Sequence, residues 1–150
     1  MYPHQLERLT GVLDQAGLEA LVATTPANID YVTGFRSLTQ EVYGTRQTAV
    51  FTRRGTALVV PAVDLASIVV DAVEVDHVAC YGGFVADYAD PPGELEGRIR
   101  ALAGAKAASP AHALAGVLDA LGVSGGRIGL DEGLVTPQAW QRVVARLGPR

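Results

Sequence analysis

The sequence predicts an α/β domain of three layers, with helices on both faces of a mixed β-sheet. Three observations carry that expectation. Stretches with apolar residues at helical spacing alternate with short apolar runs of strand length. Two of those runs, QTAVFT (47–52) and TALVVP (56–61), flank the glycine-containing turn RRG (53–55) and read as a β-hairpin. Hairpin strands are antiparallel, so the sheet is mixed rather than wholly parallel. Finally, 150 residues, 49% of them hydrophobic and 19% charged, suit one domain with its own core. A chain of that length buries about two-thirds of its unfolded surface and needs no disulfide staple.

The elements follow in order. Residues 4–16 are expected to be helical, because Leu6, Leu9, Leu13 and Ala16 recur at three- and four-residue spacing and Gly17 supplies a stop. LEALVAT (18–24) reads as a buried strand. In TTPANIDYVTGF (24–35), Thr25 can cap a helix and Pro26 suits its first position, where no backbone N–H is needed. Ile29 and Val32 share a face, so packing rather than propensity must hold so short a helix, and Gly34 ends it. FRSLTQEVYGTR (35–46) reads as a polar, irregular loop, followed by the hairpin.

Residues 62–70 read as helix, although the β-branched run at 68–70 leaves a strand extension open. VEVDHVACY (73–81) alternates as a strand would, and GGFVADYADPPGE (82–94) is a loop. A helix over 94–105 is diluted by Gly97 and Gly104 and stays undecided. Pro110 opens a better one, with Leu114, Val117, Leu118 and Leu121 on one face. GVSGG is a turn and RIGLDE (127–132) a strand. Thr136 and Pro137 open the last helix. Trp140, Val143, Val144 and Leu147 form its apolar stripe, which makes Trp140 a core residue, and Gly148 and Pro149 stop it. A domain boundary is expected there.

Charge and composition exclude several functions. A net charge of −4 offers no basic footprint for nucleic acid. No apolar run approaches the ~20 residues of a membrane span. The N-terminus lacks the basic-then-apolar layout of a secretory signal. A single cysteine cannot form an internal disulfide, so a cytoplasmic setting is expected.

Little in the sequence speaks for catalysis. His4, His77 and His112 stand in no metal-binding spacing. DAVEVDH (71–77) is the best acidic cluster. On a strand Glu74 and Asp76 would share a face with His77 opposite, an arrangement better read as a solvated strand edge than as a metal site. Cys80 lacks an activating neighbour and reads as a small buried residue. No G-x-S-x-G elbow is present. GVSGGRIG (122–129) leads from helix to strand, whereas phosphate loops lead from strand to helix, so it reads as a tight turn. Arg36 and Arg46 bracket the 35–46 loop. They read as solvated surface arginines, with a binding role as the alternative: a guanidinium fork suits a carboxylate, and Phe35 and Tyr43 in the same loop favour contacts.

RLTGVLDQAGLEALVATTPANIDYVTGF (8–35) resembles the start of the creatinase/prolidase/aminopeptidase P family, the pita-bread metallopeptidases. Members begin with an amphipathic helix, a strand like AGLEALVA, and a segment like TPANIDYVTGF. The likeness continues through QTAVFTRRGTALVVP and resumes at RIGLDEGLVTPQAWQRVVARL; it is loose over 82–125.

The resemblance implies a non-catalytic N-terminal domain over 1–150, folded like ribonuclease H, with the catalytic domain downstream. That domain would carry two aspartates, one histidine and two glutamates around two divalent metal ions, manganese, cobalt or zinc; none is assigned to this chain. It further implies a homodimer in which the N-terminal domain helps wall the active site, often that of the neighbouring subunit. By position Arg46 would reach the substrate carboxylate there, with Tyr43 as an accompanying aromatic and Phe35 and Arg36 on the same rim. Asn28 would bond locally at the start of its short helix. Xaa-Pro peptidase is the parent reaction favoured by YVTGF. A creatinase-like amidinohydrolase, a free-standing α/β small-molecule-binding module and an interaction domain remain alternatives.

Overall fold

The computed structural model describes residues 1–87 and 89–131, together with 137, 138, 141, 142 and 145. The chain runs α1 (Pro3–Ala16), β1 (Ala20–Ala23), α2 (Pro26–Thr33), α3 (Leu38–Tyr43), β2 (Thr48–Thr52) and β3 (Gly55–Pro61). A 3₁₀ turn (Ala62–Asp64) then leads into α4 (Leu65–Val70), β4 (His77–Tyr81), α5 (Glu94–Gly104), α6 (Pro110–Ala120) and β5 (Ile128–Leu130). The five strands lie in the order β4-β3-β2-β1-β5. β1 pairs antiparallel with β2, and β2 with β3. β4 and β5 close the two edges in parallel. The sheet is therefore mixed, as the hairpin requires.

Side-chain alternation along the central strands divides the core in two. Ala49, Phe51, Leu58 and Val60 face one side, where Leu13 of α1, Ile29 and Val32 of α2, and Leu65 and Ile68 of α4 cover them. Val50, Ala57 and Val59 face the other, against Ala113, Leu114, Val117 and Leu118 of α6. Burial on both faces is why β2 and β3 read as nearly continuous apolar runs.

Several boundaries differ from the expectation. The hairpin turn is one residue tighter, because Thr52 pairs directly with Gly55 and leaves a two-residue loop, Arg53–Arg54. Gly55 joins the strand because it has no side chain. Its φ is 150°, and a Cβ there would lie 2.5 Å from Asp76 Oδ2. The strand expected over 73–81 begins only at His77. Asp76 precedes it and accepts hydrogen bonds from the Thr56 backbone N–H (2.7 Å) and hydroxyl (3.2 Å). The ambiguous 62–70 stretch is helical, and so is 94–104.

The largest difference is α3, a helix within the segment that reads as irregular. Ser37 caps it by accepting from the Gln40 backbone N–H at 3.1 Å, and Gly44 ends it in the left-handed region at φ 63°. Both signals were present in SLTQEVYG; the missing one was an inward apolar stripe. Leu38 and Val42 are on α3 but point outward, exposed at 71% and 60%. Of the last predicted helix, Pro137, Gln138, Gln141, Arg142 and Ala145 are helical and exposed. Thr136, Trp140, Val143, Val144, Leu147, Gly148 and Pro149 lie outside the described residues, as does Glu132. Among the described residues, no helix is long and apolar enough to cross a membrane.

Candidate functional site

The chain leaves β1 at Ala23 and returns to the sheet at Thr48. Between these points α2 and α3 form a rim over one end of the sheet, and two carboxylates hold it from below. The first is Asp131, immediately after β5. Its oxygens accept from the Thr24 backbone N–H (2.9 Å) and hydroxyl, the Thr25 N–H and hydroxyl (both 3.1 Å), and Asn28 Nδ2 (2.9 Å). It thus closes the N-terminus of α2, where exposed N–H groups and the helix dipole favour a negative charge. Burial alone would raise the Asp131 pKa. The hydrogen bonds from Thr24, Asn28 and Thr25 outweigh it and hold the carboxyl below its ordinary value. Asn28 therefore serves its helix through Asp131 rather than through the nearby backbone.

The second is Asp64, 3% exposed, in the turn after β3. It accepts from Ser37 Oγ (3.0 Å), Thr39 Oγ1 (2.7 Å) and Gln47 Nε2 (2.6 Å). Thr45 Oγ1 completes the cage at 2.8 Å from Thr39 Oγ1 and 2.9 Å from Gln47 Nε2. No cation pairs with Asp64 among the described residues. Gln47 is 2% exposed, and its Oε1 is buried without a partner among the described residues. An unmet buried acceptor costs about 1–3 kcal/mol. Turning the amide over would set Oε1 against the carboxylate, which is worse; Asp64 dictates the orientation.

The four residues singled out from the sequence fall in different places. Phe35 is 2% exposed, a core side chain packed with Ile29 and Val32, so it does not stand on the rim as expected. Arg36 is on the surface. Its Nε and Nη2 bond Asp30 Oδ2 at 2.8 and 2.7 Å, and the hydrogen bond and the charge of Asp30 raise its pKa above the ordinary value. This pair borders a groove of about 290 Å³ floored by Phe35 and walled by Pro26, Gln40 and Glu41. Tyr43, at 78%, is exposed at the end of α3. Arg46 is exposed on the return to β2, and its carbonyl accepts the Tyr81 hydroxyl. Burial pushes the Tyr81 phenol up, and the nearby Asp64 charge adds to that. The Arg46 guanidinium makes no hydrogen bond or ion pair among the described residues. Its backbone is fastened while its charged end is exposed.

Other candidates are structural. Cys80 is buried, its thiol facing the Leu102 carbonyl at 3.4 Å, and burial raises its pKa. His112 Nδ1 lies 2.7 Å from Ser109 Oγ, the helix cap of α6. Among the described residues, no group of three or more His, Cys, Asp or Glu could hold a metal ion.

The family model for the creatinase/prolidase N-terminal domain matches residues 5–149. The chain belongs to this family. No curated protein has a sequence that matches this one. Solved structures share the fold of this creatinase/prolidase N-terminal domain at low identity. A proline dipeptidase from Streptococcus pneumoniae is 19% identical with a TM-score of 0.59, over 95% of this chain and 83% of that one. The creatinase/prolidase N-terminal domain of an X-Pro dipeptidase from Streptococcus pyogenes is 18% identical with a TM-score of 0.57, over 95% and 86%. A dipeptidase from Pyrococcus horikoshii is 19% identical with a TM-score of 0.58; 96% of this chain matches only 32% of that protein.

Sequence reasoning found the cap and stop of α2 but missed Asp64, Asp131 and Gln47. Asp64 lay inside the helical reading of 62–70, and Asp131 inside the strand reading of 127–132. Their partners are 17–27 and 103–107 residues away in the chain.

Proposed function

We propose that this chain is the accessory N-terminal domain of a metal-dependent Xaa-Pro peptidase, of aminopeptidase P or prolidase type. It supports dimerisation and walls the substrate pocket of a catalytic domain, and it is inactive alone. The observation that carries this reading is Arg46. Its exposed guanidinium is free of intramolecular partners among the described residues, while its carbonyl is fastened by Tyr81 and its neighbour Gln47 by Asp64. A free guanidinium on a braced backbone suits a substrate carboxylate, which it can meet with two parallel N–H donors.

On this reading Tyr43 and Arg36, both exposed, are further contacts to the substrate, while Phe35 packs in the core. Two divalent ions, manganese, cobalt or zinc, belong on this reading to the catalytic domain. On the same reading the hydrolytic step runs in that domain. Its contribution is binding and orientation. The lone, buried Cys80 suits the cytoplasm as its compartment.

The test uses the full-length parent. Arg46→Ala should raise KM for Xaa-Pro dipeptides roughly tenfold or more, the scale of a charge-assisted hydrogen bond, with a smaller change in kcat. Arg46→Lys should recover part of the loss. The chain of 150 residues alone, supplied with manganese, should not turn over; turnover would refute the accessory role. Hydrolysis of creatine in place of Xaa-Pro dipeptides by the parent would move the assignment to an amidinohydrolase.

A further inference from the structure

The segment 37–47 is held in an unusual way for a helix-containing stretch. α3 has six residues, far short of the ~12–15 at which a helix gains marginal stability alone. Packing does not make up the difference. Its apolar side chains Leu38, Val42 and Tyr43 are 71%, 60% and 78% exposed, and its only buried residue is the polar Gln40. What remains is polar: Gln40 Nε2 donates to the Thr24 carbonyl at 3.3 Å, and a cage of side chains lies beneath the helix. Ser37 and Thr39, from the first turn of the segment, and Gln47, from its end, all donate to the single carboxylate of Asp64. Thr45 joins Thr39 to Gln47. One buried side chain, delivered from the far end of β3, thus pins both ends of the stretch that carries Tyr43 and Arg46.

We propose that Asp64 is the positioning residue of this rim: it holds segment 37–47 as a unit that opens separately from the sheet, and through Gln47 it sets where Arg46 stands. The proposal rests on the accessory-domain reading for what Arg46 meets. The ordering of the segment stands without it. A stretch with few buried apolar contacts belongs to the low-stability end of a protein, where opening is local rather than global. Asp64 lies on the β3 side of the cage, outside the segment it secures, so removing its charge releases the rim without opening a cavity in either apolar cluster.

The experiment compares wild type, Asp64→Asn and Thr39→Val in the chain of 150 residues, a length close to that of the solved Streptococcus domain chain it covers to 86%. Amide hydrogen exchange is read residue by residue. Trypsin cleavage after Arg46 is read against cleavage after Arg54 in the hairpin. Asp64→Asn keeps the shape but turns one acceptor into a donor. Exchange at 38–45 and cleavage after Arg46 should rise roughly tenfold, with β1–β3 amides and the Arg54 cut nearly unchanged. Thr39→Val removes one donor and keeps the carboxylate; it should give the same pattern at smaller amplitude and carries the test if Asp64→Asn does not fold. A uniform rise across the sheet, or no rise at 38–45, overturns the proposal.

In the full-length parent, Asp64→Asn should raise KM with little change in kcat, and add nothing to Arg46→Ala. If Arg46→Ala raises KM and Asp64→Asn does not, the positioning role is overturned. If Arg46→Ala leaves KM unaltered, the pocket-wall reading falls while the exchange result stands.

Discussion

The β2–β3 hairpin and the rim before it are neighbours in sequence and opposites in construction. Along the hairpin, Ala49, Val50, Phe51, Ala57, Leu58, Val59 and Val60 are essentially without exposed surface, and they pack against helices on both sides. Along the rim the buried residues after Phe35 are Ser37, Gln40 and Gln47, while Leu38, Val42 and Tyr43 face outward. Apolar burial is non-directional and scales with area, so the hairpin is held by many small contributions, none of which aims anything. Hydrogen bonds to a carboxylate are directional. The rim has less holding it, but what it has fixes orientation.

The comparison is broken most forcefully in the hairpin. Phe51→Ala should destabilise the whole domain by about 3–5 kcal/mol, seen as a lower urea midpoint with one cooperative transition. A local, two-step loss there would mean that the two regions are not built differently. Next comes the other carboxylate. Asp131→Ala removes the acceptor of five side-chain and backbone donors around Thr24, Thr25 and Asn28 and should cost about 1–2 kcal/mol, as loss of a helix cap does. Circular dichroism in urea measures it.

The same residue gives a pH dependence whose sign follows from its lowered pKa. A carboxyl depressed in the folded state contributes fully above the ordinary value, about 3.9, and loses that contribution as pH falls through the folded one. Wild type and Asp131→Asn should differ in stability at pH 6, and the gap should shrink as pH falls through and below the ordinary carboxylate range; a gap that widens on acidification would reverse the assignment.

The smallest effect sharpens the contrast from the rim's outer side. Tyr43→Ala, at an exposed position, should change the stability of this chain by no more than about 0.5 kcal/mol. A larger loss would reveal packing on the outer face of α3.

Legibility divided along the same line. The hairpin was readable because two strand-length apolar runs and a glycine at the turn are local signals, and only the turn length differed, by the one residue that Gly55 gives to the strand. Helix α2 was readable from Thr25, Pro26 and Gly34, each of which acts within its own helix. Helix α3 carried an equally local cap and stop, yet was read as a loop, because its apolar residues face away from the core and no inward stripe marked it. Phe35 was placed on the rim because it borders a polar stretch, but the left-handed turn at Gly34 sends the side chain inward beside Ile29.

The family likeness was visible in TPANIDYVTGF and holds over residues 5–149. By itself the sequence determined the fold class, the hairpin, both ends of α2 and the family, because periodicity, caps and turn residues act over a few positions. Only the tertiary structure decided that Asp64 and Asp131 are the anchors of the rim and that Phe35 lies beneath it. A carboxylate becomes an anchor when donors from distant parts of the chain converge on it, and no pattern along the chain records which donors those will be.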